Sequence, residues 1–382
     1  MAHARTIPSD AEKAQVWTAY RAGKPIRVPM MLGTNPRVVL MDRHFNPQGV
    51  TFEQAARDPR VHIDIALRHA RYTYDVLGQV SDLPAEYPET WEIQLQVYNV
   101  YEAAFFGAAV EFTGNQVPAT EPILFEDNKR AIFDVDIDHP LDKGYYREVL
   151  NFWEKMEQLC RGLTYEGRPV KLIPWLASGT DGPFTVACNL RGSDIFTDLI
   201  DDPDYADKLL SFLTDAAIRR RQLFWDYWGD RVAPCNWCAD DSCAMLSPQM
   251  YRERILPLHR RFYDAGPASA VRSMHLCGNS SHLFGMIRRE LNVTAFDTGF
   301  PVDHGKIRRE LGPEVEIAGG PPVDLLMNGT PDEVYQRTKA ILLSGVKEGG
   351  RFTLREGNNL PPSTPMSNLA AMYQAALDHG HY

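Results

Sequence analysis

The chain has no run approaching the roughly 18 apolar residues that cross a bilayer. Its opening, MAHARTIPSDAEKAQ, has no apolar leader core either. It lacks a surplus of positive charge: 40 Lys and Arg stand against 50 Asp and Glu, a formal net charge of −10. That balance argues against nucleic acid and anionic membrane surfaces as partners. Cysteine is scarce, with six in 382 residues, so no disulfide framework is expected. Internal repeats, low-complexity tracts and Gly/Ser linkers are absent. The expectation is a cytoplasmic protein without nucleic-acid or membrane partners; a homodimer is compatible with it.

What is present is ordinary globular composition, 44% hydrophobic and 24% charged, enough for a large core. Length alone would allow two domains, but α/β barrels run long as single ones. Residues 1–14 are expected to form a flexible arm and residues 15–382 one domain.

From residue 168 onward, short β-rich runs alternate with longer helical ones. Strands are expected at 170–176, 231–237, 269–276, 292–298, 314–318 and 351–355, with weaker signals at 26–32 and 109–113. Eight strands separated mostly by helices make an α/β fold, a (β/α)8 TIM barrel in a single domain. The stretch 40–110, including the helical-looking Thr90–Gly107, supplies helical N-terminal additions. Asp202-Pro203, Ser247-Pro248, Thr330-Pro331 and Thr364-Pro365 each set a capping residue before a helix-starting proline. Pro257 should kink the helix that follows Ser247.

A barrel presents its chemistry at the C-terminal ends of its strands. Here those ends carry Gly33-Thr34-Asn35, Ser178-Gly179-Thr180-Asp181, Cys235 to Cys243, His275-Cys277-Gly278-Asn279, Asp297, Gly319-Gly320 and Arg355-Glu356-Gly357-Asn358. His275 and Cys277 stand two apart at the end of an extended run, so their side chains leave the same face. An imidazole and a thiolate so placed can hold two corners of a zinc site. Cys160 and Cys188 read as structural. Tyr98, Asn99 and Glu102 have helical spacing, which suits either a pocket wall or a core-facing stripe.

Several phrases resemble the uroporphyrinogen decarboxylase superfamily. They are AYRAGKPIRVPM near the start, Gly182-Pro183-Phe184-Thr185, the run from Asp240 through Ser247-Pro248 to Ile255-Leu256-Pro257, HLCGN, and EGNNLPPSTPMSNLAAM near the end. They occur in order over residues 15–380. The superfamily is a (β/α)8 barrel with two main chemistries, cofactor-free decarboxylation and methyl transfer to or from a corrinoid protein with zinc at the barrel mouth. The decarboxylase branch carries an arginine-rich phrase after its first strand and an FSDIL-like phrase. This chain has MLGTNPRVVL at the first place and nothing like the second.

The methyltransferase branch is the closer likeness. Its His-x-Cys zinc ligands match His275 and Cys277. Its third ligand, a Cys between two glycines, is replaced by Asn358 in Gly357-Asn358-Asn359. Glu356 and Cys238 are the candidate substitutes. The resemblance implies a methyltransferase that moves a methyl group from a small methoxy-type compound to a corrinoid carried by a partner protein. Glu356 and Asp241 are the candidate catalytic groups. Asn35, Tyr98, Asn99, Asn279, Asp297, Arg355 and Asn358 are the candidate substrate contacts. Two other readings stay open. One is a metal-independent decarboxylase, which needs a cation cluster from Arg37, Arg272 and Arg355. The other is a non-catalytic small-molecule-binding barrel.

Overall fold

The structure, a computed structural model, describes residues 7–175 and 180–382. Ser178 and Gly179, expected at a strand end, and residues 1–6 of the expected arm lie outside the described residues. The strands are β1 (Trp91–Ile93), β2 (Thr164–Tyr165), β3 (Arg168–Leu172), β4 (Thr180–Asp181), β5 (Asn236–Ala239), β6 (Arg272–Leu276), β7 (Ala295–Thr298), β8 (Glu316–Gly319) and β9 (Phe352–Leu354). Strands β4 to β9 form one all-parallel sheet in sequential order. Beyond β9 the ladder passes to the segment at Met30, which bridges Leu354 in parallel. On the other side β1 pairs in parallel with β3, whose chain leads on to β4. With β3 and β4 as one stave and the Met30 segment as the first, eight staves make the (β/α)8 barrel. Strand β2 is a short antiparallel flap on β3.

The register decides which residues can meet. Cys238, Met274, Phe296, Ile317 and Phe352 lie side by side across β5 to β9. All are buried in the layer between sheet and helices. The alternate row holds Asp181, Ala239, His275, Asp297, Ala318 and Thr353. Because successive side chains alternate faces, this second row looks into the barrel mouth.

Several expectations are corrected. The second stave is Trp91–Ile93, not 109–113. Trp91 and Ile93 are buried and Glu92 is exposed, the alternation a strand needs. Within 109–113 only Glu111 pairs, in an isolated antiparallel bridge to Ala119. Thr90–Gly107 is therefore no single helix, and its α-helical part is Tyr101–Phe105. The arm is shorter than 1–14. A helix starts at Asp10, closed by a Ser9–Glu12 capping box. The Lys13 ammonium is buried and donates to the carbonyls of Gly78 and Leu83, which pins the helix to the body. Pro257 does not kink a continuous helix. A π-helical turn, Tyr251–Ile255, precedes it, and Pro257 opens the helix Leu256–Asp264. Thr364 caps nothing; the last helix, Met366–His379, begins after Pro365 without a side-chain cap.

Asp202, Ser247 and Thr330 do cap their helices. The N-terminal additions build apolar clusters of their own. One joins Val38, Val39 and Leu40 to Phe52 and Ile65.

Candidate functional site

The strand ends assemble a chain of alternating charge across the mouth. Glu356 Oε1 meets Arg355 Nη2 at 2.8 Å, and Arg355 Nη1 meets Asp297 Oδ2 at 2.9 Å. The same Asp297 oxygen lies 3.1 Å from His275 Nδ1, and His275 Nε2 lies 3.7 Å from Asp241 Oδ1. Asp241 Oδ1 also accepts the Cys277 amide N–H at 2.7 Å, which ties the end of β6 to the loop after β5. Burial disfavours the charged imidazole of His275, but Asp297, the Cys277 thiol and Asp241 outweigh it and push its pKa up to about 10. The ring lies between two carboxylates.

Glu356 is fully buried. Burial pushes its pKa up to about 7 against the pull of Arg355. Its second oxygen accepts the Gly33 N–H at 3.0 Å. A Cβ on Gly33 would stand 2.6 Å from Arg355 Nη2 and 2.8 Å from Glu356 Oε1, so those side-chain ends would have to shift. Asp241 is the accessible carboxylate of the chain, its side chain 46% exposed, and burial of the rest still raises its pKa.

Beside this chain the Asn358 amide N–H donates to Cys277 Sγ at 3.3 Å. Its oxygen accepts the Asn359 N–H at 2.7 Å. A cavity of about 630 Å³ opens from this point. Asn35, Asn99, Asn189, Asn358 and Asn359 line it, as do Tyr98 and Arg37. Asn35, Tyr98, Asn99 and Asn358 thus stand on one wall system. Asn279 is exposed on the loop after β6 and does not line the cavity. Asp297 and Arg355 belong to the charge chain instead.

Three assignments from sequence are revised. Cys238 sits in the outward row with Met274 and Phe296, on the face opposite His275, so it cannot share an ion with that residue. Glu356 has one oxygen on Arg355 and the other on Gly33, which makes it the end of an ion-pair chain and not a ligand aimed at Cys277. The cation cluster required for a decarboxylase is not formed by the three named arginines. Arg37 donates to the carbonyls of Asn359 and Leu360. Arg272, at the opposite end of β6, pairs with Asp264, and Arg355 is neutralised by Asp297 and Glu356.

Two buried networks were not visible in sequence. Glu102 accepts the Asp181 N–H at 3.1 Å and pairs with Arg220, which also reaches Tyr146. Burial, with Glu102, Asp241 and Asp240 nearby, lifts the Asp181 carboxyl well above the usual range. Glu102 was noticed only as one member of a helical spacing, and periodicity cannot identify a partner 118 residues away.

The second network joins Tyr251, His259 and Asp240. The Tyr251 hydroxyl is 2.9 Å from His259 Nδ1, and His259 Nε2 is 2.9 Å from Asp240 Oδ2. Asp240 also accepts from Thr185 N, Thr185 Oγ1 and Phe184 N, capping the helix Pro183–Arg191. Among the described residues, Asp240, Cys243 and His259 are the only three potential metal ligands whose donor atoms converge. All three are buried. The Asp240 and His259 donors are already engaged by protein groups, so we read the cluster as a brace for the β5 loop.

Residues 95–379 match the family described as uroporphyrinogen decarboxylase (URO-D). The chain belongs to that family. Within it the chain is similar to a methylated-thiol–coenzyme M methyltransferase of Methanosarcina mazei, 32% identical over 217 residues, which is 56% of this chain and 54% of that protein. It is also similar to the methylcobamide:CoM methyltransferase MtbA of the same organism, 27% identical over 199 residues, covering 52% of this chain and 56% of that protein. The chain spans about half the length of the curated relatives it matches. A solved methyltransferase from Methanosarcina mazei shares the fold, with a TM-score of 0.65, 17% identity, and coverage of 96% of this chain and 98% of that one.

The residues present fit in part the zinc pattern that the sequence resemblance implies. His275 and Cys277 point the same way and lie within hydrogen-bond reach of each other. The third position presents an amide N–H to the thiol, which a ligand would not do. Asp241 lies 3.7 Å from His275 Nε2, but its donor atoms do not converge with those of both His275 and Cys277. No helix among the described residues is long and apolar enough to cross a membrane.

Proposed function

We propose that this chain is a methyltransferase that takes a methyl group from a small methoxy-type compound and delivers it to the cobalt of a corrinoid on a separate protein. The observation that carries the reading is the His275–Cys277 pair at the mouth, bordered by Asp241 and Asp297 and opening onto an amide-lined cavity. Similarity to coenzyme M methyltransferases supports it.

His275 and Cys277 are the residues that would hold a zinc ion. Bound there, zinc supplies Lewis acidity to a methyl-bearing oxygen. The asparagine amides orient a neutral polar head by hydrogen bonds. They do not attract carboxylates as a decarboxylase mouth must, since that needs unpaired guanidinium groups. Asp297 lies on the Nδ1 side of the His275 ring and Asp241 on its Nε2 side. The Arg355–Glu356 pair in turn holds Asp297.

The test is methylation of cob(I)alamin, followed by its absorbance, with a methoxy donor and wild-type protein or His275→Ala. Transfer that depends on His275 supports the reading. No transfer with or without added zinc, together with CO2 release from a carboxylic acid, would replace it with the decarboxylase.

A further inference from the structure

The mouth-facing row of the sheet begins with Asp181, at the end of β4. In register, Asp181 stands beside Ala239, and Ala239 beside His275. Adjacent strands lie about 4.8 Å apart, so the backbones at Asp181 and His275 are separated by roughly 10 Å. The residue between them carries only a methyl group. Little side chain therefore fills the space between the Asp181 carboxyl and the His275 ring.

The surroundings of Asp181 fix its place and are rich in like charge. Its N–H donates to Glu102 at 3.1 Å, and Glu102 Oε1 pairs with Arg220 Nη2 at 2.5 Å. Arg220 lies over the Tyr101 ring, 5.5 Å from its centroid. Gly182 lets the end of β4 close on the next strand, because a Cβ there would run into the Asp240 carboxyl. Glu102, Asp240 and Asp241 are thus the acidic neighbours of Asp181, with Arg220 as the nearby cation. Arg220 is committed to Glu102, and Asp240 accepts from Thr185 and Phe184. Glu102 and Asp240 are buried, whereas Asp181 is only part-buried and so within reach of the mouth. Carboxyl groups this close do not all ionise together, and burial acts in the same sense.

Resting on the methyltransferase reading above, we propose that Asp181 is the proton donor to the oxygen that parts from the methyl group, and that Glu102 and Arg220 position it. In the transfer the methyl carbon–oxygen bond breaks and its electron pair stays on oxygen. The electron pair of the cobalt(I) acceptor forms the new carbon–cobalt bond. The departing oxygen takes the Asp181 proton and leaves as a hydroxyl compound. The Asp181 carboxylate then regains a proton from water. A positioned general acid is worth roughly 10²–10⁴-fold in rate. Glu102 and Arg220 act through Asp181: one receives its backbone N–H, the other holds that receiver in place.

The experiment has two arms. The first needs neither donor nor acceptor: infrared difference spectra at neutral pH of wild type against Asp181→Asn. Wild type should show the carbonyl band of an un-ionised carboxylic acid that the variant lacks. Absence of that band overturns the proposal. The second arm is methyl transfer to cob(I)alamin from methoxybenzene and from its para-nitro derivative, probes in which the ring substituent sets how much the departing oxygen needs a proton. Asp181→Asn should slow transfer from methoxybenzene by about 100-fold and from the nitro derivative by less than about threefold. Equal slowing of both, as a merely structural role produces, or slowing of neither, overturns the proposal and leaves the methyltransferase reading standing. Should Asp181→Asn fail to fold, Asp181→Ser provides the same comparisons. A wild type that transfers from neither donor overturns the methyltransferase reading whatever the infrared band shows, and the role of Asp181 in transfer falls with it.

Discussion

The Asn358 side chain donates an N–H to Cys277 Sγ at 3.3 Å. An amide therefore stands where the family resemblance implies a third thiolate, already touching Cys277, one of the two residues proposed to hold zinc. Asn358→Cys should complete a three-ligand set. Zinc affinity, measured by competition with a chromogenic chelator under reducing conditions, should rise by more than about tenfold. An unchanged affinity would show that a thiol at this position does not share an ion with Cys277.

Cys277→Ser and Cys238→Ser should behave differently. On the zinc reading proposed above, the first should take up less zinc than wild type and keep its fold. The second buries a hydroxyl in the apolar layer beside Met274 and should cost about 1–3 kcal/mol in denaturant unfolding, with zinc content and methyl transfer unchanged. Loss of zinc from a folded Cys238→Ser protein would contradict the register argument.

Glu356 makes stability pH-dependent. Its pKa is raised from 4.5 to about 7 in the folded state, so the folded protein binds this proton more tightly than the unfolded chain does. Its contribution is fully present below the unfolded pKa of 4.5 and is lost as pH rises through about 7. The span corresponds to a few kcal/mol, on the order of 3. Chemical unfolding of Glu356→Gln from pH 5 to 8 should lack this decline. An equal decline in the variant would assign the pH dependence to another group.

Gly33→Ala puts a methyl group into the Arg355–Glu356 ion pair, 2.6 and 2.8 Å from their atoms. The pair must shift, at a cost of about 1–3 kcal/mol, and Asp297 loses its straight support. A thermal melt that falls by several degrees, with transfer activity reduced, is the expected result. A melt identical to wild type would mean that the pair has slack.

Glu102→Gln removes one carboxylate from the buried Glu102–Arg220 pair. It should destabilise the protein by about 3–5 kcal/mol in urea unfolding. A loss below about 1 kcal/mol would mean that neighbouring groups such as Tyr146 carry the cation.

Local chemistry was enough to foresee much of this molecule. Alternation of β-rich and helical text set the barrel, because each stave and each helix writes its own period. The His-x-Cys spacing put both side chains on one face, because a strand alternates strictly by two. The helix caps at Asp202, Ser247 and Thr330 were legible because capping needs only neighbouring residues. The second stave was misplaced because Trp91–Ile93 is three residues long, too short for a period to declare itself.

What the sequence could not decide is which strand ends meet, since convergence depends on register between segments far apart in the chain. Register alone turned Cys238 away from His275 and brought Asp297 to it. Glu356 changed from a candidate ligand to a buried ion-pair end because Gly33, 323 residues earlier, closes over it. The cavity of about 330 Å³ bordered by Phe52, Phe112 and Phe152 is likewise a tertiary product, since their separate helices and loop carry no common motif.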